Sequence, residues 1–289
     1  MPQAEEVFDL IFYRPLAFMF VKGIYRLPIT PNQVTLLSLI AGFAAAWFFS
    51  TGNPALLVPG AIWYAAANIL DCADGQLARL QNSGTLLGRV VDGVADYFSS
   101  IAIFLGIGFG LAASGGSAWV LVVVAGISSA IHAMVFDKEQ SEFLSASRGI
   151  GNFLDREIGQ FTAEVRRLKS ERRMGMRTVA LSLYLRYLNI QRRAGAEGDD
   201  RAPDAPTGPG NNIRMIRLWS FLGPTTNRTL LIVCALIGRI DLYLWIIVVA
   251  GNLWLAVCSI VQGRIHRKTE LRQSAALASP DPRENVRKA

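Results

Sequence analysis

Six apolar stretches, at about residues 33–50, 54–80, 88–113, 117–136, 220–238 and 241–262, are each long enough to cross a bilayer as a helix. The hydrocarbon core is ~30 Å thick, so a crossing helix takes roughly 17 to 25 mostly apolar residues. Water is absent there, so backbone amides must be satisfied internally, and only helices or a closed barrel can span. Runs of this length select helices. Composition agrees, because 52% of the 289 residues are hydrophobic and only 18% are charged, too apolar and charge-poor for an ordinary soluble domain. The fifth stretch departs from the others, since Pro224, Thr225, Thr226, Asn227 and Arg228 interrupt its start. The expected fold is an all-α integral membrane bundle of six transmembrane helices.

Basic residues sort the connections into two groups. Arg14, Lys22 and Arg26 precede the first span, Arg79 and Arg89 follow the second, fifteen Lys and Arg lie in 137–219, and seven follow residue 262. The links near Thr51 and Ser114 carry none, and the link near Gly238 carries only Arg239. Basic loops stay on the cytoplasmic side, so both termini are expected there. The net charge of +7 would by itself also suit nucleic acid, but the apolar runs decide for the membrane, and no nucleic-acid partner is expected. Cys72, Cys234 and Cys258 lie far apart in apolar stretches, which points to neither a zinc site nor a disulfide framework. Met1–Arg14 lacks the pattern of a cleaved signal peptide, so the first apolar helix is expected to stay in place.

Five segments follow. Residues 1–32 mix aromatics and leucines with Arg14, Lys22 and Arg26, as in an amphipathic helix lying in the interface. Residues 33–136 hold the first four spans. Residues 137–219 form a cytoplasmic helical insertion: Ile158, Phe161, Val165 and Leu168 are spaced as one helix face, a basic amphipathic stretch follows, and a Gly, Pro and Asp linker closes it. Residues 220–262 hold the last two spans. Residues 263–289 read as a cytoplasmic tail without structure.

Within the second and third apolar stretches the chain reads DCADGQLARL and GRVVDGVADYF. Carboxylates inside apolar helices cost a few kcal/mol each or more, so Asp71, Asp74, Asp92 and Asp96 need compensation. Arg79 and Arg89 could neutralise two of them; bound cations account for all four. Asp71 and Asp74 share one helix face, and Gly88, Asp92 and Asp96 form a stripe on the other helix. Asp74 and Asp92 are each nine residues from Ser83 in the intervening turn, which sets them at equal depth in an antiparallel hairpin. Hard oxygen ligands point to Mg²⁺ or Mn²⁺. Gly75 and Ala78 leave the helix surface bare beside Asp74, where a flat or bulky ligand can approach the backbone. Small residues at such spacing also mark helix contacts in membranes.

The pattern Asp71, Asp74, Gly75, Ala78, Arg79, Gly88, Asp92, Asp96, at these gaps, resembles the DxxDGxxARx8GxxxDxxxD signature of the CDP-alcohol phosphotransferases of class I. Every fixed position matches. The resemblance implies metal-dependent transfer of a phosphoalcohol group from a CDP-alcohol donor to an alcohol acceptor, with release of CMP. It implies that the four aspartates hold two metal ions, that Asp96 is also the general base, and that Gly75, Ala78, Arg79 and Gly88 line the donor site. Upstream, LPITPNQVT is similar to the family's lead into the first span, so Asn32 and Thr35 are expected to contact the donor or brace an aspartate. Thr30 as cap and Pro31 in the first turn explain the same residues as a helix start.

By analogy with short bacterial members, the expected donor is CDP-diacylglycerol, the location a bacterial inner membrane, and the assembly a homodimer. CDP-choline, CDP-ethanolamine or a CDP-inositol type remain alternative donors, and the acceptor is unread. A prenyltransferase would need its two aspartate motifs on well-separated helices. A cation transporter or inactive scaffold would use intramembrane carboxylates without requiring Gly75, Ala78, Arg79 and Gly88 at those gaps.

Overall fold

The computed structural model describes residues 5–115, 118–148, 153–171, 175–196 and 213–278, and these are helical with short connections. A π-helical turn, Asp9–Tyr13, leads into α1 (Arg14–Ile24). Ala17 and Val21 face inward while Phe18 and Met19 are exposed, the two-sided character expected of an interfacial helix. The inner face packs on α3 (Leu57–Leu80) through Ala73 and Leu77.

α2 (Pro31–Ser50) is the central element, and its start is set locally. The Thr30 hydroxyl accepts from the Gln33 amide at 3.4 Å, and Gln33 Oε1 accepts from the Thr30 amide at 2.8 Å, a reciprocal cap. Both α3 and α4 (Leu86–Ala113) pack on α2 and pack little on each other. Glycines explain the α2–α4 contact. A Cβ at Gly106 would lie 2.3 Å from the Ala46 carbonyl oxygen, and one at Gly110 would lie 2.0 Å from that of Phe49. Lipid gives helices no hydrophobic reason to associate, so close backbone approach of this kind carries the packing. Toward α3, the contact is made by Ala41, Ala45, Ala61 and Ala67. The α3–α4 connection turns at Asn82, whose φ is +48°, and Thr85 caps α4 by accepting from the Gly88 amide at 2.9 Å.

α5 (Trp119–Arg148) outlasts the span expected to end at 136 and carries the chain to the insertion. There α6 (Phe153–Ser170) and α7 (Met176–Ala196) pair. The face of Ile158, Phe161, Val165 and Leu168 is buried, as its spacing predicts, against Leu181, Leu188 and Val90 of α4. Arg89 adds an ion pair to Glu157 at 3.2 Å. The linker from 197 to 212 lies outside the described residues.

Among the described residues five helices, against the six expected, are each long and apolar enough to cross a membrane. The stretch at 220–238, preceded by α8 (Ile213–Trp219), instead folds as a 3-10 turn at Ser220–Leu222 and α9 (Pro224–Leu236) of 13 residues. At ~1.5 Å per residue, α9 alone covers ~20 Å of a ~30 Å core. The break follows from Gly223, extended at φ −64° and ψ 155°, and from Pro224, which has no amide to continue a helix. The last span, Ile240–Ile265, combines α10 (Ile240–Trp245), a π-helical turn at Ile246–Gly251 and the start of α11 (Asn252–Ala278). α11 stays helical through Ala278, well into the segment from 263 expected to lack structure; residues 279–289 lie outside the described residues. His132 is fully buried between α5 and this span, with Nε2 at 3.1 Å from Asn252 Oδ1, a packing role.

Candidate active site

α3 and α4 descend from the Asn82 turn with their acidic stripes facing one gap, the gap left open because both helices lean on α2. Oxygens of Asp71, Asp74 and Asp92 lie within 4.8 Å of one another. Three hard oxygens with no nitrogen or sulfur ligand among them suit Mg²⁺ or Mn²⁺, so the residues present fit a divalent cation.

Asp96 stands beside this cluster and is held differently. Its Oδ1 accepts from Arg228 Nη2 at 2.8 Å, while Arg228 Nη1 donates to Asp71 Oδ2 at 3.2 Å and to Asn68 Oδ1 at 3.0 Å. Arg228 thus bridges α3 and α4 from α9. The Asp96 side chain is the more open of the two carboxylates, 44% exposed against 24% for Asp71. One guanidinium cannot compensate four carboxylates, so the acidic site still calls for cations.

The cationic partner is not one of those nearest in sequence. Arg89 turns away to Glu157, and Arg79 lies exposed beside Gly75, where a Cβ would stand 3.7 Å from its Nη1. Neither forms an ion pair with the four aspartates among the described residues. The start of α2 reaches both acidic helices. Thr35 Oγ1 donates to Asp74 Oδ2, and Asn32 Oδ1 lies 3.3 Å from where a Gly88 Cβ would be. Gly75, Ala78 and Gly88 are half-buried, and Gly75 and Gly88 meet side chains, not the backbone of a packed helix, unlike Gly106 and Gly110.

Three residues were not among the expected site residues. Arg228 and Asn68 complete the polar network, and the signal for Arg228 was the same as for the aspartates, a charge in an apolar stretch. Glu6 is the third. Although it precedes every helix, it is only 3% exposed and caps α9, accepting from the Thr225 amide at 3.0 Å and the Thr226 amide at 2.7 Å. Burial pushes its carboxyl up to about 7, against the pull of those hydrogen bonds.

Residues 28–163 match the family model described as CDP-alcohol phosphatidyltransferase, a range that includes all four aspartates but not Arg228. A phosphatidylinositol phosphate synthase of Mycobacterium marinum is 35% identical over 89 residues, 30% of this chain and 36% of that protein. One from Mycobacteroides abscessus is 30% identical over 133 residues, covering 45% and 59%. An archaetidylinositol phosphate synthase of Pyrococcus horikoshii is 33% identical over 89 residues, covering 31% and 46%. The chain therefore spans between 36% and 59% of the length of these relatives.

Proposed function

We propose that this chain, whose residues 28–163 match the CDP-alcohol phosphatidyltransferase family model, is a member of that family and moves a phosphatidyl group from CDP-diacylglycerol to an alcohol, releasing CMP. The observation that carries the reading is the convergence of Asp71, Asp74 and Asp92, from two helices, within 4.8 Å beside Asp96 and Arg228.

In this reading Asp71, Asp74, Asp92 and Asp96 would hold two Mg²⁺ or Mn²⁺ ions. Bound there, such ions supply charge neutralisation to the donor diphosphate and to the departing CMP. The chain's own residues do the rest. Thr35 fixes the Asp74 carboxylate, so one ligand is set before donor arrives. Gly75, Ala78 and Gly88 let the cytidine and diphosphate approach backbone, and Arg79 faces the same surface. Arg228 engages one oxygen of Asp96, so the other oxygen is the one placed to take the acceptor's hydroxyl proton. The acceptor oxygen bonds to the phosphorus that carries the diacylglycerol, the bond from that phosphorus to the CMP oxygen breaks, and CMP leaves with the electron pair.

The relatives' names share inositol phosphate and differ in the lipid part, phosphatidyl or archaetidyl, which makes an inositol phosphate the first acceptor to test. The same reading places the chain in a bacterial inner membrane with both termini cytoplasmic, with α8 and α9 together forming the remaining crossing, and as a homodimer. The test is purified protein with Mg²⁺ or Mn²⁺, a panel of CDP donors and alcohols, and mass spectrometry of CMP and lipids. Metal-dependent CMP release with CDP-diacylglycerol is expected. Release only with CDP-choline or CDP-ethanolamine would move the donor assignment, and no release with any donor would leave a transporter or scaffold.

A further inference from the structure

The segment before α1 is bound to the last third of the chain. Glu6 Oε1 accepts from the Thr225 amide, and Oε2 accepts from the Thr226 amide and, at 2.8 Å, from the Thr226 hydroxyl. These donors form the first turn of α9. A Cβ at Gly223 would lie 2.2 Å from the Glu6 carboxyl carbon, so the carboxyl enters only because residue 223 has no side chain. One turn on, the Tyr13 hydroxyl meets Thr229 Oγ1 at 3.0 Å. The same segment is tied to α3, where Gln76 Nε2 donates to the Arg14 carbonyl at 3.1 Å. Arg228 lies between the two contacts, two residues after Thr226 and one before Thr229.

That placement has a mechanical meaning. α9 is too short to be fixed by its own passage through lipid, and the chain before it is interrupted at Gly223. The rotation and depth of its first turn decide whether the Arg228 guanidinium reaches Asn68, Asp71 and Asp96 together. We propose that Glu6, seconded by Tyr13, is a positioning residue that sets Arg228 against Asp71 and Asp96, so that the N-terminal segment is a working part of the transfer site. Glu6 touches no substrate in this scheme and acts through Arg228. The functional half of the proposal rests on the transferase reading above.

The experiment uses the full chain in detergent or nanodiscs at pH 8, above the value of about 7 to which burial moves Glu6. Glu6→Gln keeps the size of the side chain but turns an amide NH₂ toward donors. It is expected to lower kcat for CMP release at least tenfold while donor KM changes less than twofold, and Tyr13→Phe to lower kcat by less. In an Arg228→Lys background, Glu6→Gln is expected to add less than a twofold loss. Equal fold-losses in both backgrounds, or an unchanged kcat with only a lowered Tm, would overturn the proposal and leave Glu6 a helix cap. A readout free of turnover accompanies this. Nitroxides at exposed Met19 of α1 and Leu236 of α9, in a chain whose three cysteines are replaced by alanine, should give one narrow distance that broadens on Glu6→Ala. An unchanged distribution would also overturn the proposal. If wild-type protein releases no CMP with any donor, the transferase reading fails, and the spin-label distances alone decide whether Glu6 sets α9.

Discussion

Replacing Thr35 with valine removes the hydroxyl that donates to Asp74 while keeping the side chain's shape. A hydrogen bond to a charged group contributes about 1.5–3 kcal/mol, so Mn²⁺ affinity is expected to weaken by roughly 10- to 100-fold. Titration calorimetry or the electron paramagnetic resonance of free Mn²⁺ would show it, and an unchanged affinity would remove Thr35 from the site. Asp96→Asn separates two roles. As a proton acceptor, Asp96 accounts for a factor on the order of 10²–10⁴ in turnover, so kcat should collapse while donor binding persists. Equal loss of both would make Asp96 chiefly a ligand. The convergence of Asp71, Asp74 and Asp92 and the Thr30 cap were legible in sequence because their partners lie within a turn or two, or across one hairpin. Arg228 was not, because its partners Asn68 and Asp71 are 160 and 157 residues away. Nothing local distinguishes an arginine that anchors a helix end at the lipid surface from one that reaches an acidic pocket.

The α2–α4 contact depends on two missing side chains, so Gly106→Leu should be costly. Overpacking a tight contact destabilises by about 1–3 kcal/mol, and here the neighbour is backbone, which yields less than a side chain. A lowered Tm in detergent is expected, whereas Gly263→Ala, with nothing within 4 Å, should hold or raise it. A Gly106→Leu protein as stable as wild type would show that α4 has another way to sit on α2. The long apolar helices were legible from length alone, and the buried face of α6 from its 3.6-residue period. The short α9 was not, because hydropathy averages over Gly223 and Pro224 while the backbone does not. The tail misled for the opposite reason, since polar composition past residue 263 does not stop a helix that already has a nucleus in α11.

For the molecule as a whole, the proposed orientation, with both termini cytoplasmic and α8 and α9 completing a sixth crossing, predicts which loops lie on which side. Alkaline phosphatase fused after Gly52, Gly115 or Gly238 should be active outside the cytoplasm, and fused after Ala289 it should be silent. An inactive fusion at Gly238 would mean that α8 and α9 turn back without crossing. Arg228 adds a statement about time. A membrane chain is made from its N-terminus, so α3 and α4 are inserted with their carboxylates long before residue 228 leaves the ribosome. Until then the acidic gap lacks the bridging Arg228 guanidinium, and Glu6 waits for the first turn of α9. In the proposed reading the nascent protein therefore holds no finished site, and a chain cut between α5 and α9 should insert four helices yet stay inert, so that making α9 is itself the step that arms it.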